Sequence, residues 1–399
     1  MSRISERAKS LGTENAFVVL DEVEKLRAKG REIVSFCIGQ PDFPTPDYIC
    51  QAAIQALAEG HTGYTPSAGI VELREAVADY VSTTRDIRVN ADAVVCGCGA
   101  KPFIAYSIQA VTDPGQGHEV IYPSPGFAIY QSQIRANEAV PVPLALNETN
   151  NFRFDPGELA DSLNDRTRLL ILNSPHNPTG AVYDRDYLAE IARILSAWEN
   201  VWVLSDEPYH AFVYDQPFSS IAATEKMLGR TILLDSVSKT WSMTGWRVGY
   251  AVNATLAPVF ARMVTNTDSC APHPNQHAAV AALRGSRHSI DEMREEFQRR
   301  RDHIVTGLNT LEGVKCSMPQ GAFYAWPEVS GLCQLAGLKD SEELATALLH
   351  EAGVAVLADK HFGEPLHTSG QHLRFSYACS IEQIDSGLKL IEKYIDSLA

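Results

Sequence analysis

The sequence predicts an α/β fold in which a mainly parallel, doubly wound sheet is covered by helices on both faces. The first observation is that short β-rich runs alternate with helical patterns between about residues 93 and 252. The second is that amphipathic stretches, such as residues 186–198, separate several of these runs. This alternation is typical of successive strand–helix–strand units. The predicted strands are residues 94–98, 119–122, 140–144, 168–173, 201–206, 231–235 and 248–252.

The third observation is that the candidate binding and catalytic residues cluster at one edge of this sheet. Sheets of this type bind ligands at the carboxyl ends of their strands. Candidate residues follow Cys98, Tyr122 and Asn173. Further candidates stand at Asp206 and directly after Asp235. This distribution predicts one shared site.

Beyond the large sheet, the sequence predicts a second, smaller α+β domain. Its expected strands are residues 322–326 and 373–377, and its expected helices are residues 341–352 and 381–397. No Gly/Ser linker or repeat interrupts the chain, so we expect the domains to pack tightly.

A long charged helix is expected over residues 289–311, and it contains the arginine run 299–301. The acidic residues Glu295, Glu296 and Asp302 flank this run. We therefore interpret the run as a solvated helix face rather than a nucleic-acid patch.

Charge and length narrow the classes of function. The chain has 399 residues, with 34 basic and 49 acidic side chains and a net charge of −15. This balance argues against a nucleic-acid or anionic-membrane surface and favours a soluble cytoplasmic enzyme. The amino terminus shows no apolar core of a secretion signal, and no apolar run approaches the length of a membrane span.

The eight cysteines are scattered, and only Cys96 and Cys98 lie close together. No second cysteine pair or nearby histidine completes a zinc site. We therefore expect buried free thiols, a reducing compartment and no metal in the functional site.

The segment after residues 231–235 carries the most informative chemistry. It places the hydroxyls of Ser236 and Ser238 beside Lys239, with Arg247 eight residues further on. Hydroxyls and a guanidinium can bind phosphate, and a lysine in a desolvated, cation-rich pocket can form a Schiff base. Alone, the segment could also be an ordinary polar turn. It resembles the cofactor-lysine motif of pyridoxal-phosphate enzymes of fold type I, specifically the aspartate aminotransferase-like class I and II aminotransferases.

The glycine-containing turn at residues 97–102 is a second candidate. Pro102 suits the first turn of a helix, and the free amides and dipole of a helix start form an anion site. A generic turn is the alternative. The resemblance places the cofactor phosphate against Gly99, Ala100 and Lys101, with the serines and the arginine of the lysine motif as further donors.

Asp206 ends a predicted strand, where an aspartate is often only a turn or cap residue. A carboxylate paired with the ring nitrogen of pyridoxal phosphate keeps that nitrogen protonated, which stabilises a carbanion at the substrate. The resemblance gives Asp206 this role, while strand alternation directs Glu207 to the opposite face. The resemblance also implies that Asn177 and Tyr209 donate to the phenolic oxygen of the cofactor. It further implies a cis peptide bond before Pro178.

The resemblance assigns four further positions. Phe127, otherwise a plain core residue, would stack on the cofactor ring. Arg374 would grip the substrate α-carboxylate in a bidentate manner, with Gly39 and Asn177 lining the same pocket. Tyr64 would reach the phosphate from the neighbouring subunit, which implies a homodimer with shared active sites.

The resemblance implies fold type I with a seven-stranded sheet. Residues 48–288 would form the large cofactor-binding domain, and residues 1–47 would join the small domain at residues 289–399. The expected activity is reversible, ping-pong transfer of an amino group between an L-amino acid and a 2-oxo acid. Lys239 would hold pyridoxal 5′-phosphate as a Schiff base and move the substrate proton, with Asp206 and Tyr209 as the other catalytic residues.

The sequence leaves alternatives open for the type of reaction catalysed and for the substrate. The same site could support C–S lyase, decarboxylase or oxidase chemistry, and more remotely the chain could be a non-catalytic cofactor-binding regulator. Lys101 could bind the distal carboxylate of aspartate or glutamate, or it could be a solvated lysine at a helix start. Phe17 and Ile38 could instead provide an apolar wall for an aromatic or aliphatic side chain.

Overall fold

The structure is a computed structural model that describes residues 4–9, 11–363 and 370–398. The strands are β1 (Val34–Ser35), β2 (Val94–Gly97), β3 (Glu119–Ser124), β4 (Val140–Ala145), β5 (Thr167–Asn173), β6 (Trp202–Asp206), β7 (Thr231–Ser236), β8 (Gly249–Val252), β9 (Tyr324–Ala325), β10 (Val354–Ala355), β11 (Leu357–Ala358) and β12 (Leu373–Ser376).

The helices alternate with these strands through the first two thirds of the chain. They are α1 (Glu6–Lys9), α2 (Asn15–Ala28), α3 (Asp47–Ala58), α4 (Val71–Arg85), α5 (Lys101–Val111), α6 (Ile129–Ala136), α7 (Pro156–Ser162), α8 (Arg185–Leu195), α9 (Val237–Thr240), α10 (Ala257–Thr267), α11 (His273–Arg284), α12 (His288–Leu308), α13 (Ser330–Leu335), α14 (Ser341–Ala347) and α15 (Ile381–Asp396).

The central sheet has seven strands within the described chain, in the order β2–β8–β7–β6–β5–β3–β4. Strand β8 pairs antiparallel with both neighbours, whereas the other pairs are parallel. The predicted mainly parallel α/β sheet is therefore confirmed. Each of the seven predicted strands is present, with ends shifted by no more than two residues.

Successive side chains of each strand point to opposite faces of the sheet, and helices pack on both faces. Leu234 of β7 packs with Phe103 of α5 on one face. Leu233, one residue earlier, packs with Val77 of α4 on the other face. Asp206 lies opposite Leu234 in register, and side chains in register point to the same face. Asp206 is therefore directed to the α5 side.

The sequence around α8 explains why this helix forms where it does. Asp184 caps the helix start by accepting a 2.9 Å hydrogen bond from the Tyr187 amide. Leu188, Ile191 and Leu195 then recur at helical spacing and are buried against the sheet. The amphipathic prediction for residues 186–198 is confirmed, although the helix ends three residues earlier.

Within the described residues, the strands of the C-terminal part take part in two small sheets. Strands β11, β12 and β9 form an antiparallel sheet in that order, and β1 pairs in parallel with β10. The predicted strand over residues 322–326 is reduced to β9 because Ala322 adopts a left-handed φ of 58°. The predicted helix over residues 341–352 is α14, which continues into a wider π-type turn at Leu348–Ala352. The domain boundaries remain a prediction.

The interpretation of the arginine run in α12 as a solvated face is wrong for two of its members. Arg300 and Arg301 are only 6% and 4% exposed. Arg300 forms a 2.7 Å ion pair with Asp42, and Arg301 pairs with Asp215. Arg299 stays exposed. The two arginines can be buried because distant segments supply carboxylates that compensate their charges.

None of the described helices combines the length and apolar character needed to cross a bilayer. All eight cysteines are free thiols. Cys96 is buried, as predicted, while Cys98 is only half-buried.

Candidate active site

A cavity of about 500 Å³ opens at the carboxyl ends of β5, β6 and β7. The structure brings most of the predicted site residues to its wall, so the polar ends of the strands meet at one cavity. The predicted residues that line it are Gly39, Ala100, Lys101, Phe127, Asn177, Asp206, Tyr209, Ser236, Ser238, Lys239, Arg247 and Arg374.

One end of the cavity forms an anion cradle. Helix α5 starts there at Lys101. Pro102 has no N–H and the Phe103 amide donates to the Ala100 carbonyl, so the backbone amides of Ala100 and Lys101 are the ones that could donate to an anion. Arg247 holds its guanidinium beside this start by donating to the Cys98 carbonyl at 3.3 Å. Gly99 has a φ of 89°, and a Cβ at this position would overlap the Arg247 guanidinium. The glycine of the predicted turn is therefore needed for this close approach.

The lysine motif occupies the turn from β7 into α9. Ser236 caps the short helix by accepting from the Ser238 amide at 3.3 Å. Lys239 donates from Nζ to the Gly39 carbonyl at 2.5 Å. Burial lowers the pKa of Lys239 to about 8, and the nearby cations Arg374 and Arg247 add to this effect. The amine is thus far more available as a nucleophile near neutral pH than an ordinary lysine.

Asp206 is buried on the cavity floor and receives a 2.6 Å hydrogen bond from the Tyr130 hydroxyl. Burial raises the pKa of this carboxyl to about 7, and the carboxylates of Asp235 and Glu207 add to the rise. The hydrogen bond from Tyr130 acts in the opposite direction. Tyr130 was not predicted, although it lies three residues after Phe127 in the same strand-to-helix segment.

A buried ionic network lies behind Asp206. Arg85 donates to Glu207 at 3.0 Å and to Asp235 at 2.6 Å, and His210 lies 3.1 Å from Asp235. Glu207 therefore faces away from the cavity, as strand alternation predicted. The guanidinium compensates these two carboxylates in the interior.

Arg374 projects from β12 into the cavity between two aromatic rings. Its guanidinium carbon lies 4.5 Å from the ring centre of Tyr324 and 4.9 Å from that of Phe362. It donates to Asn177 Oδ1 at 2.9 Å and to the Cys37 carbonyl at 2.5 Å. Its Nε is buried and has no hydrogen-bond partner among the described residues. A planar cation held this way suits a carboxylate ligand.

Tyr324 is a second residue that the sequence predictions missed. Its hydroxyl lies 2.7 Å from that of Tyr209, so the two phenols share one hydrogen bond beside Arg374. A Cβ on Gly39 would overlap the Tyr324 hydroxyl. This contact explains why position 39 requires glycine. The bond before Pro178 is cis, as predicted.

The mouth of the cavity combines charge with apolar surface. Lys101 Nζ lies 2.5 Å from Glu14 Oε2 and 5.4 Å from the ring centre of Phe127. Phe17 and Ile38 also line this region, and Phe17 is 58% exposed. Glu14 was not predicted, because its contact with Lys101 joins residues 87 positions apart.

Tyr64 does not contribute to the wall of the cavity in its own chain. It is 89% exposed, which makes it one of the most exposed large side chains of the described residues. Its predicted contact with a neighbouring subunit remains a prediction.

Comparisons with known proteins agree with this architecture. A family model described as aminotransferase class I and II matches residues 31–391. The chain is 33% identical to an aspartate aminotransferase of Bacillus sp. (strain YM-2), over 98% of this chain and 99% of the relative. It is 37% identical to an aspartate aminotransferase of Streptomyces avermitilis, over 98% and 96%. A solved structure of Thermus thermophilus aspartate aminotransferase with maleate has a TM-score of 0.92 at 32% identity, covering 98% and 100%.

Proposed function

The chain belongs to the class I and II aminotransferase family, and we propose that its aminotransferase reaction uses pyridoxal 5′-phosphate and a dicarboxylic L-amino acid. One observation carries the proposal. A single cavity holds the Lys239 amine of lowered pKa, the cradle at Arg247 and the buried carboxyl of Asp206. An amine, a phosphate site and a carboxyl are the three groups that a phosphorylated pyridine aldehyde requires.

The donor set fits this cofactor. The start of α5, the two serine hydroxyls and Arg247 would hold the phosphate, since each offers a donor to an anion. Asp206 would face the ring nitrogen, and the hydroxyl of Tyr209 and the amide of Asn177 would face the phenolic oxygen. Phe127 would cover the ring. When bound, pyridoxal phosphate supplies an aldehyde that captures amines and a ring that withdraws electrons from the substrate α-carbon.

The residues of this chain then have separate tasks. Lys239 would be the amine that anchors the cofactor, and its free Nζ would take the proton from the substrate α-carbon as a general base and then donate it as a general acid. Asp206, when ionised, keeps a proton on the ring nitrogen. Because the first 2-oxo acid would leave before the second one binds to the same site, we expect ping-pong kinetics.

Arg374 would bind the α-carboxylate that every amino-acid substrate carries. It is buried and stacked between two rings, and within the described chain its Nε has no hydrogen-bond partner. A substrate carboxylate would satisfy that donor and form the bidentate pair that guanidinium geometry favours. Asn177 accepts from Arg374 through Oδ1, so its Nδ2 can still donate to the phenolic oxygen.

The substrate side chain would extend toward the Lys101–Glu14 pair. A distal carboxylate could replace Glu14 on the Lys101 ammonium, exchanging one ion pair for another. The names of the relatives as aspartate aminotransferases and the maleate in the Thermus structure support this substrate class. Phe17 and Ile38 would contact the aliphatic part of the side chain.

The exposed Tyr64 supports a homodimer in which each subunit completes the phosphate site of the other. The phenol of Tyr64 is 89% exposed in its own chain, and a tyrosine hydroxyl is a good hydrogen-bond donor at an interface. The acidic surface and free cysteines support a cytoplasmic location.

The test of the cofactor assignment is chemical trapping. Purified enzyme saturated with pyridoxal phosphate would be reduced with borohydride, digested and analysed by mass spectrometry. We expect one cofactor per chain, attached to Lys239. Attachment to another lysine, together with unimpaired aminotransferase activity in Lys239→Ala, would overturn the assignment.

A further inference from the structure

Three histidines meet at the surface, away from the residues that line the cavity. His61 lies in the segment after α3, while His273 and His277 stand one turn apart at the start of α11. Each ring offers a nitrogen, and the three nitrogens lie within 4.8 Å of one another. The ring centres of His61 and His277 are 4.4 Å apart, and those of His273 and His277 are 5.3 Å apart.

The rings are already oriented by their surroundings. His273 Nδ1 lies 3.1 Å from the Gly63 carbonyl, which can accept only from a protonated nitrogen. In the neutral ring with this tautomer, the other nitrogen of His273, Nε2, is the one that can bind a metal ion. A histidine that donates one ring N–H to a backbone carbonyl has the arrangement that metal-binding histidines commonly show.

Two further observations point to a ligand at this position. The Nε2 of His277 is buried and has no hydrogen-bond partner among the described residues. The Nε2 of His61 lies 3.5 Å from the Glu59 carboxylate, so an anionic oxygen stands beside the cluster. Three imidazoles and one carboxylate form a common ligand set for zinc.

We propose that His61, His273 and His277 form a binding site for one divalent transition-metal ion, with Zn²⁺ as the expected occupant. Imidazole nitrogens favour zinc, copper, nickel and cobalt over magnesium and calcium. Three nitrogens around a tetrahedral zinc ion lie about 3.3 Å apart. Side-chain rotations that move the nitrogens by about 1 Å would therefore bring them to coordination distance. Water or Glu59 would complete the coordination.

An ion at this site would connect two helices that already pack together. His61 follows α3, and α3 lies against α11. Binding only in the folded state would stabilise the protein, because the unfolded chain does not hold the three rings together. The site is separate from the aminotransferase cavity, so its occupancy does not depend on the proposed function.

Calorimetric titration of the chelator-treated holoenzyme with Zn²⁺ tests the proposal. We expect one ion per chain and a rise in melting temperature on saturation. His277→Gln and His61→Gln should each weaken binding by about tenfold or more and so reduce the rise at the same Zn²⁺ concentration. His288→Gln, which removes an exposed histidine outside the cluster, should behave like the wild type. A visible Co²⁺ spectrum of four-coordinate type should appear only in the wild type and this control.

Two outcomes would overturn the site. One is the absence of saturable Zn²⁺ binding in the wild type. The other is unchanged affinity in both cluster variants, which would place any bound ion elsewhere. Melting temperatures measured in chelator distinguish a lost ligand from a misfolded variant, and the position of His61 outside the helices makes His61→Gln the safer of the two.

Discussion

The Tyr130 hydroxyl donates a 2.6 Å hydrogen bond to Asp206 Oδ2, and both side chains are buried below the cavity. Burial, Asp235 and Glu207 raise the pKa of Asp206 to about 7, while the hydrogen bond lowers it. Tyr130 thus favours the ionised form of the carboxyl. The proposed function needs this form opposite a ring nitrogen, so Tyr130 is a positioning residue for the reaction.

Tyr130→Phe should therefore impair catalysis more than cofactor retention. A hydrogen bond to a charged group is worth about 1.5–3 kcal/mol, so we expect kcat to fall by about tenfold or more. The variant should also require a higher pH for full activity, because the pKa of Asp206 loses the contribution that lowers it. Measurement of kcat and kcat/KM across pH checks both effects.

Tyr183→Phe provides the matched control. Tyr183 is also fully buried, but its hydroxyl has no hydrogen-bond partner among the described residues. Its removal should leave the pH profile unchanged. Equal profiles for the two variants would contradict the role of Tyr130.

The lowered pKa of Lys239 predicts how the apoenzyme takes up its cofactor. Below about pH 8 the side chain is an ammonium, and above it the neutral amine can attack an aldehyde. The rate of pyridoxal phosphate uptake should therefore rise with pH and level off above about 8. Stopped-flow absorbance measures this rate.

Two variants should shift, in opposite directions, the pH at which the rate of cofactor uptake is half-maximal. Glu14 raises the pKa of Lys239 and Arg374 lowers it. Glu14→Gln should shift the midpoint to lower pH, and Arg374→Met should shift it to higher pH. If the wild type instead showed half-maximal uptake near the pKa of a free lysine, burial would not lower the pKa of Lys239.

The Lys101–Glu14 pair predicts the response to substrate charge. Lys101→Met should raise KM for aspartate by about tenfold or more, because a charged hydrogen bond to the distal carboxylate is lost. KM for alanine should change little. Glu14→Gln should lower KM for aspartate, since the substrate no longer competes with a resident carboxylate. Steady-state kinetics with both donors measures these changes, and equal effects on aspartate and alanine would show that Lys101 does not bind the distal carboxylate.

The buried network at Arg85 predicts a large effect on stability. Arg85→Met leaves Glu207 and Asp235 without their cation, and breaking a buried pair typically costs about 3–5 kcal/mol. Arg284→Met, which removes an exposed pair with Glu75, should cost about 0–1 kcal/mol. Denaturant unfolding of the holoenzyme measures both, and similar losses would contradict the importance of burial.

The sheet and the strand-end site could be predicted from the sequence because their signals are local. An apolar run such as 231–235 marks a buried strand, and the residues directly after it must lie at the sheet edge. The lysine motif, Asp206 and the turn before α5 therefore came together as predicted.

The residues that were missed act through contacts between distant segments. Glu14 contacts Lys101, and Tyr324 contacts Tyr209. Arg300 is buried because it pairs with Asp42, although the sequence predicted that it is solvated. The sequence near each of these residues looks ordinary. Only the packing of the C-terminal part and the N-terminal segment against the large sheet brings them into contact.

Single-turnover absorbance of the cofactor-loaded enzyme tests the central claim most directly. L-aspartate would be added without any 2-oxo acid acceptor, and both the cofactor spectrum and the 2-oxo acid released would be followed. Stoichiometric 2-oxo acid, with the cofactor left in its amino form until an acceptor is added, is the predicted result. Continued turnover with release of ammonia or CO₂ and return of the starting spectrum would contradict it, and would assign the site to elimination, decarboxylation or oxidation.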